Sequence, residues 1–69
     1  MSMKLELKSE YIELVKLLKL AGFAESGGQA KIMVEEGDVL VDGQVELRKR
    51  FKVRPGQTVV VGEQSVEVA

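Results

Sequence analysis

The amino-acid sequence predicts an α+β fold in which two short helices pack against each other and against one face of a small, mostly antiparallel sheet. Three observations carry that expectation. The hydrophobic period is two over residues 3–8, helical over residues 10–21 and 26–36, and two again from Asp38 onward. Glycines stand where each helical pattern stops, at Gly22 and Gly37. Compact turn signals, Asp42-Gly43, Pro55-Gly56 and Gly62-Glu63, punctuate the second half of the chain. Two helices joined by a short loop have to bury their apolar stripes against each other and against a sheet face.

Each element follows from its local pattern. Residues 3–8 alternate apolar and charged, so Met3, Leu5 and Leu7 are expected to face inward on a strand. Ser9 then reads as an N-cap, with helix over residues 10–21. Ile12, Val15, Leu18 and Ala21, flanked by Tyr11 and Leu14, form its apolar face; Glu10, Glu13, Lys16 and Lys19 form its wet side. Gly22 suits the left-handed residue that closes such a helix, and Phe23 the apolar contact that accompanies it. Ser26-Gly27-Gly28-Gln29 reads as a capping box at the start of a second helix, with Ala30, Met33 and Val34 inward and Gly37 at its end. Two glycines in a first turn lower helix propensity, so something other than propensity is expected to favour them, close approach of another backbone being one candidate. Val39, Val41 and Val45 belong to a hairpin about Asp42-Gly43. Residues 47–53 read as an extended strand, and residues 57–61 and 64–68 as a closing hairpin about Gly62-Glu63.

With 69 residues the chain is read as one domain spanning residues 1–69, with a small core. It has no cysteine, which excludes disulfides, thiolate catalysis and cysteine-bound zinc. It has no histidine, which removes the usual general base and the commonest metal ligand. Glu35, Glu36 and Asp38 gather at a helix end, where carboxylates are ordinarily solvated, so no metal site is expected. No acid–base pair, activated nucleophile or phosphate-binding glycine loop is visible, and the chain is read as non-enzymatic, without cofactor or small-molecule substrate. No apolar run approaches the length of a membrane span, and the N-terminus carries no secretion-signal pattern. A monomer in the cytoplasm is the expectation.

Net charge is −1, with 10 basic and 11 acidic residues, yet the cations are unevenly placed. Arg48, Lys49, Arg50, Lys52 and Arg54 fall together, with no acid between Leu47 and Gln57. On an extended strand Arg48, Arg50, Lys52 and Arg54 would share one face, with Leu47, Phe51 and Val53 on the other and Lys49 as the exception. Such a stripe either keeps a solvated edge from aggregating or meets a polyanion that relieves the repulsion. Residues alone leave both open.

The order and spacing of three stretches narrow the choice. Residues 17–31, LLKLAGFAESGGQAK, resemble the helix-turn-helix of the RNA-binding domain first described in the fourth small-subunit ribosomal protein. Residues 36–43, EGDVLVDG, are similar to its hairpin, and residues 53–59, VRPGQTV, to its closing turn. The resemblance covers nearly the whole chain and is strongest to the stand-alone bacterial YbcJ-type proteins. It implies the alpha-L fold, two packed helices across a bent sheet, and binding of structured RNA, ribosomal or transfer RNA among the candidates. Carried over by position, Ser26, Gly27, Gly28 and Gln29 start the binding helix, and Lys31 is its exposed cation. Arg48, Lys49 and Arg50 fall in the hairpin region near that helix, and Lys52 and Arg54 continue the basic stretch. Many members of the family carry cations just after the serine, where this chain has Gly27 and Gly28. Tyr11, Phe23 and Phe51 are expected in the core. The alternative is an adaptor whose basic strand docks an acidic partner protein in an RNA-processing complex.

Overall fold

The computed structural model describes residues 2–69. Met1, part of the segment read above as lacking a secretion signal, lies outside them. The elements are β1 (Ser2–Leu5), β2 (Ile12–Glu13), α1 (Leu14–Leu20), α2 (Gly27–Glu35), β3 (Val39–Val41), β4 (Gln44–Val45), β5 (Lys52–Val53), β6 (Thr58–Val61) and β7 (Gln64–Val68). Five strands form one sheet in the order β1-β7-β6-β3-β4, and β2 pairs with β5 separately. All pairings are antiparallel except β1 with β7, which run parallel. The α+β expectation of two helices with a mostly antiparallel sheet holds.

The core lies between the helices and one sheet face. Leu14, Leu17 and Leu18 of α1 and Ala30 and Val34 of α2 are fully buried. They meet Val39 and Val41 of β3, Val59 of β6, Val66 and Val68 of β7, and Val53 of β5. Strand alternation accounts for the sheet's share. Val59 stands opposite both Val41 and Val66, so one inward row crosses three strands.

Both helices stop as their glycines predict. Gly22 has φ +82°, the Gly22 amide donates to the Lys19 carbonyl at 3.1 Å, and the Phe23 amide donates to the Leu18 carbonyl at 2.9 Å. Gly37 repeats the arrangement, with φ +79° and Asp38 donating to Met33 at 3.1 Å. These are Schellman closures, which satisfy carbonyls the helix end leaves open. Asp42 and Gly43 both have positive φ, 51° and 85°, as a two-residue hairpin turn requires.

Four expectations are corrected. α1 starts at Leu14, not after Ser9, and its N-cap Glu13 makes no side-chain cap. Ser9 instead donates its hydroxyl to the Tyr11 carbonyl at 2.9 Å. The β-branched pair-forming stretch at Ile12 finds a partner strand in β5, and strand pairing overrides the helical spacing. Met3 is 45% exposed, because β1 is an edge strand, with Val66 on one side and, among the described residues, no strand on the other. Val45 is exposed as well. The two-residue turn sets Val41 opposite Gln44, so Val45 faces Leu40 on the outer side of the sheet. Residues 47–53 are not a strand: only Lys52–Val53 is extended, and residues 48–51 form a turn closed by Phe51 donating to the Arg48 carbonyl at 3.2 Å. Among the described residues no helix is long and apolar enough to cross a membrane.

The two glycines Gly22 and Gly27 should respond oppositely to alanine. A Cβ at Gly22 would have to adopt positive φ, and Gly22→Ala is expected to lower stability by about 1–2 kcal/mol. A Cβ at Gly27 meets nothing within 4 Å, and Gly27→Ala is expected to raise stability by up to about 1 kcal/mol. Urea midpoints followed by circular dichroism check both signs.

Candidate nucleic-acid interface

The basic segment is shaped by the helix it abuts. The first amides of a helix have no partner within the helix. In α1 the Leu14 amide donates to the Phe51 carbonyl at 2.9 Å and the Val15 amide to the Lys49 carbonyl at 3.2 Å. Residues 48–51 therefore wrap the start of α1 instead of running straight. Phe51 turns toward the core, where it packs half-buried. Arg48, Arg50, Lys52 and Arg54 are all exposed.

These four cations still converge, although strand alternation is not the reason. They line one open concavity of about 760 Å³ together with Phe51, Pro55 and Gln57. Pro55 and Gln57 belong to the Pro55-Gly56 turn. There Gln57 donates to the Arg54 carbonyl at 3.2 Å, the Arg54 amide donates to the Gln57 side chain at 2.8 Å, and Gly56 has φ +96°. Gln57 in turn donates to the Asp42 carboxylate at 3.2 Å, and the Thr58 amide donates to the same carboxylate at 3.0 Å, tying this turn to the β3–β4 hairpin.

Three glutamates, none of them read from the sequence as a partner of the basic segment, hold three of the five cations. Arg48 makes a two-pronged contact with Glu46, Nε at 2.9 Å and a terminal nitrogen at 3.1 Å, and also lies 4.9 Å from the Phe51 ring centroid. Lys49 reaches Glu35 of α2 at 2.7 Å. Arg50 reaches Glu13 at 3.1 Å. Lys52 and Arg54 have no carboxylate partner among the described residues. Both lie over the ring of Tyr11, at 5.0 and 6.0 Å from its centroid. Tyr11, expected in the core, is exposed because the Ile12–Val53 pair takes the inward side of the β2–β5 ladder. Only Glu46, two residues before Arg48, left a trace in the sequence; the partners of Lys49 and Arg50 are remote along the chain.

The α2 start is a separate surface. Ser26 accepts from the Gln29 amide at 3.1 Å, and the Gln29 side chain reaches back to the Glu25 amide at 2.6 Å, one residue before the expected Ser26. Among the described residues nothing lies over Gly27 and only the Ser26 hydroxyl lies near Gly28, so none of them demands glycine there. Lys31 is exposed; the close contact of Glu35 goes to Lys49, and Lys31 acts on that carboxylate through charge without a salt bridge within 4 Å. None of Ser26, Gly27, Gly28, Gln29 or Lys31 lines the concavity. The Lys49–Glu35 contact joins the basic turn to the last turn of α2, about 12 Å along the helix from its start.

Two helices set across this sheet, with a basic turn folded onto the first of them, define an alpha-L type of α+β domain. The chain belongs to the S4 domain family, which it matches over residues 5–69. It is 56% identical to the YbcJ protein of Escherichia coli over 61 residues, which cover 88% of this chain and 87% of that one. The solution structure of E. coli YbcJ superposes with a TM-score of 0.71 at 51% identity, covering 99% of this chain and 85% of that one. That structure is described as revealing an alpha-L motif involved in RNA binding. The chain is also 41% identical over 49 residues to small ribosomal subunit protein uS4 of Bifidobacterium adolescentis, covering 71% of this chain and 24% of that one.

The glutamate contacts predict an acid response. The hydrogen bond from Lys49 holds the Glu35 carboxyl below its ordinary value, and the hydrogen bond from Arg48 does the same for Glu46. A carboxyl whose pKa is lower folded than unfolded contributes stability above the unfolded value, about 4.3, and loses it as pH falls through the folded value. Stability from these two contacts is expected to be constant from neutral pH down to about 5 and to fall below about 4.3. Glu35→Gln and Glu46→Gln variants should show a shallower acid limb in urea titrations run across that range.

Proposed function

We propose that this protein binds structured RNA without catalysis, as a cytoplasmic monomer acting in ribosome or RNA metabolism. The observation that carries the reading is the gathering of Arg48, Arg50, Lys52 and Arg54 about one concavity in a chain whose net charge is −1. A local concentration of cations, not total charge, attracts a polyanion. Among the described residues Lys52 and Arg54 have an aromatic ring and no carboxylate to hold them, so a phosphate takes them without displacing a carboxylate. Arg48 and Arg50 hold their own side chains 74% and 85% exposed while the glutamates they pair with are largely covered, so both guanidiniums keep open faces toward a phosphate. The alpha-L motif of YbcJ and the ribosomal setting of uS4 support the same reading.

Contacts fall on phosphates and ribose 2′-hydroxyls, because the major groove of A-form RNA is too narrow for side chains to read. The start of α2 supplies a second contact. Its free amides and positive dipole end suit a phosphate, Gly27 and Gly28 leave room for close approach, and Ser26, Gln29 and Lys31 border it. Lys49 serves chiefly to tie the basic turn to α2.

The test is titration with a hairpin RNA at several salt concentrations. About four phosphate contacts give a slope of log affinity against log salt of roughly −3 to −3.6. The double variant Lys52→Gln/Arg54→Gln is expected to bind more weakly and to flatten the slope by about 1 per residue removed, whereas Lys4→Gln on β1 should change neither. Equal binding by the double variant and the parent would sink the proposal.

A further inference from the structure

Tyr11 occupies an unusual position for an aromatic in so small a chain. The β2–β5 ladder pairs Ile12 with Val53 and Glu13 with Lys52. One step further along the same ladder, Tyr11 comes level with Arg54. Ile12 and the fully buried Val53 take the inner side, so Tyr11, Glu13, Lys52 and Arg54 share the outer one. Glu13 stands opposite Lys52 and would be its natural partner. Its carboxylate is engaged elsewhere, by Arg50 at 3.1 Å and Lys16 at 4.0 Å. Lys52 and Arg54 are left over the ring of Tyr11, a residue 38% exposed, and both also line the basic concavity.

We propose that Tyr11, flanked by Lys52 and Arg54, is a stacking site for one unpaired RNA base at the margin of the structured region bound by the concavity. The proposal rests on the RNA reading above and names a feature of the ligand that reading does not: a single-stranded nucleotide beside a duplex. The chemistry of the three side chains fits that ligand. An exposed tyrosine face stacks on any base. A cation resting over an exposed ring is loosely held, and it can turn to the phosphate of the base that replaces it. The two cations bridge the ring and the concavity, so a strand leaving the concavity passes the ring with its phosphates in reach of the same side chains. A blunt duplex end offers the ring no free base.

The chain's own composition makes the ring observable. Tyr11 is its one tyrosine and there is no tryptophan, so tyrosine fluorescence reports on this ring alone. The experiment compares a blunt RNA hairpin with the same hairpin carrying a short single-stranded uridine tail. The tail is expected to tighten binding about ten-fold and to quench Tyr11 emission beyond what the blunt hairpin does. Tyr11→Leu should bring the ratio of the two affinities close to one, and Tyr11→Phe, which keeps the stacking face, should preserve it. Circular dichroism of both variants establishes that they are folded. Should both hairpins bind with equal affinity and leave Tyr11 emission unchanged, the stacking site is overturned while RNA binding stands. Should neither bind, both fall. Quenching by polyglutamate equal to that by the tailed hairpin would also overturn it, by assigning the ring to an acidic protein.

Discussion

The start of α1 is the point on which the functional surface depends. This seven-residue helix has no side-chain cap, and two of its first amides donate to carbonyls of the basic turn, Leu14 to Phe51 and Val15 to Lys49. Buried helix ends without partners are costly, so the turn and the helix stabilise one another. The same contact fixes the direction of side chains in the turn. With the carbonyls of Lys49 and Phe51 committed to α1, Phe51 packs against the core and the arginines beside it point outward. The short β2–β5 ladder continues the arrangement, setting Glu13 opposite Lys52, with Lys52 and Arg54 both over the Tyr11 ring.

Charge is distributed on this surface with a clear division. Glu46, Glu35 and Glu13 each take one cation from the run Arg48, Lys49 and Arg50, and the two beyond them are left to Tyr11. The glutamates relieve repulsion within the turn, whose shape is set by its backbone bonds to α1. The cations themselves stay largely in solvent and open to a polyanion. An acidic chain can in this way present a basic face, since interaction with a polyanion depends on local potential and screening confines that potential to nearby charges.

Much of the fold was legible in the order of residues. Period-two alternation located β6 and β7, the capping serine located α2, and glycines located both helix ends, because each of these signals is a short-range steric or hydrogen-bonding requirement. The spacing at residues 10–13 misled because helical periodicity and β-branched strand preference coincide there, and only a partner strand decides between them. Val45 misled because the turn length, not the alternation of valines, sets the register across a hairpin. The candidate site was legible as a list of cations and illegible as a surface.

The sequence by itself determined the α+β class, the helix ends, the closing hairpin and the identity of the charged segment, all consequences of interactions within a few residues. Only the tertiary structure decided that residues 48–51 turn instead of extending, that Lys49 goes to Glu35, that Glu13 takes Arg50 and leaves Lys52 to Tyr11, and that four cations meet around one concavity. The physical reason is that these outcomes rest on partners 14 to 41 positions away in the chain, Lys49 with Glu35 and Lys52 with Tyr11 marking the extremes. A local pattern specifies what a side chain can do, and the fold specifies which of its possible partners arrives.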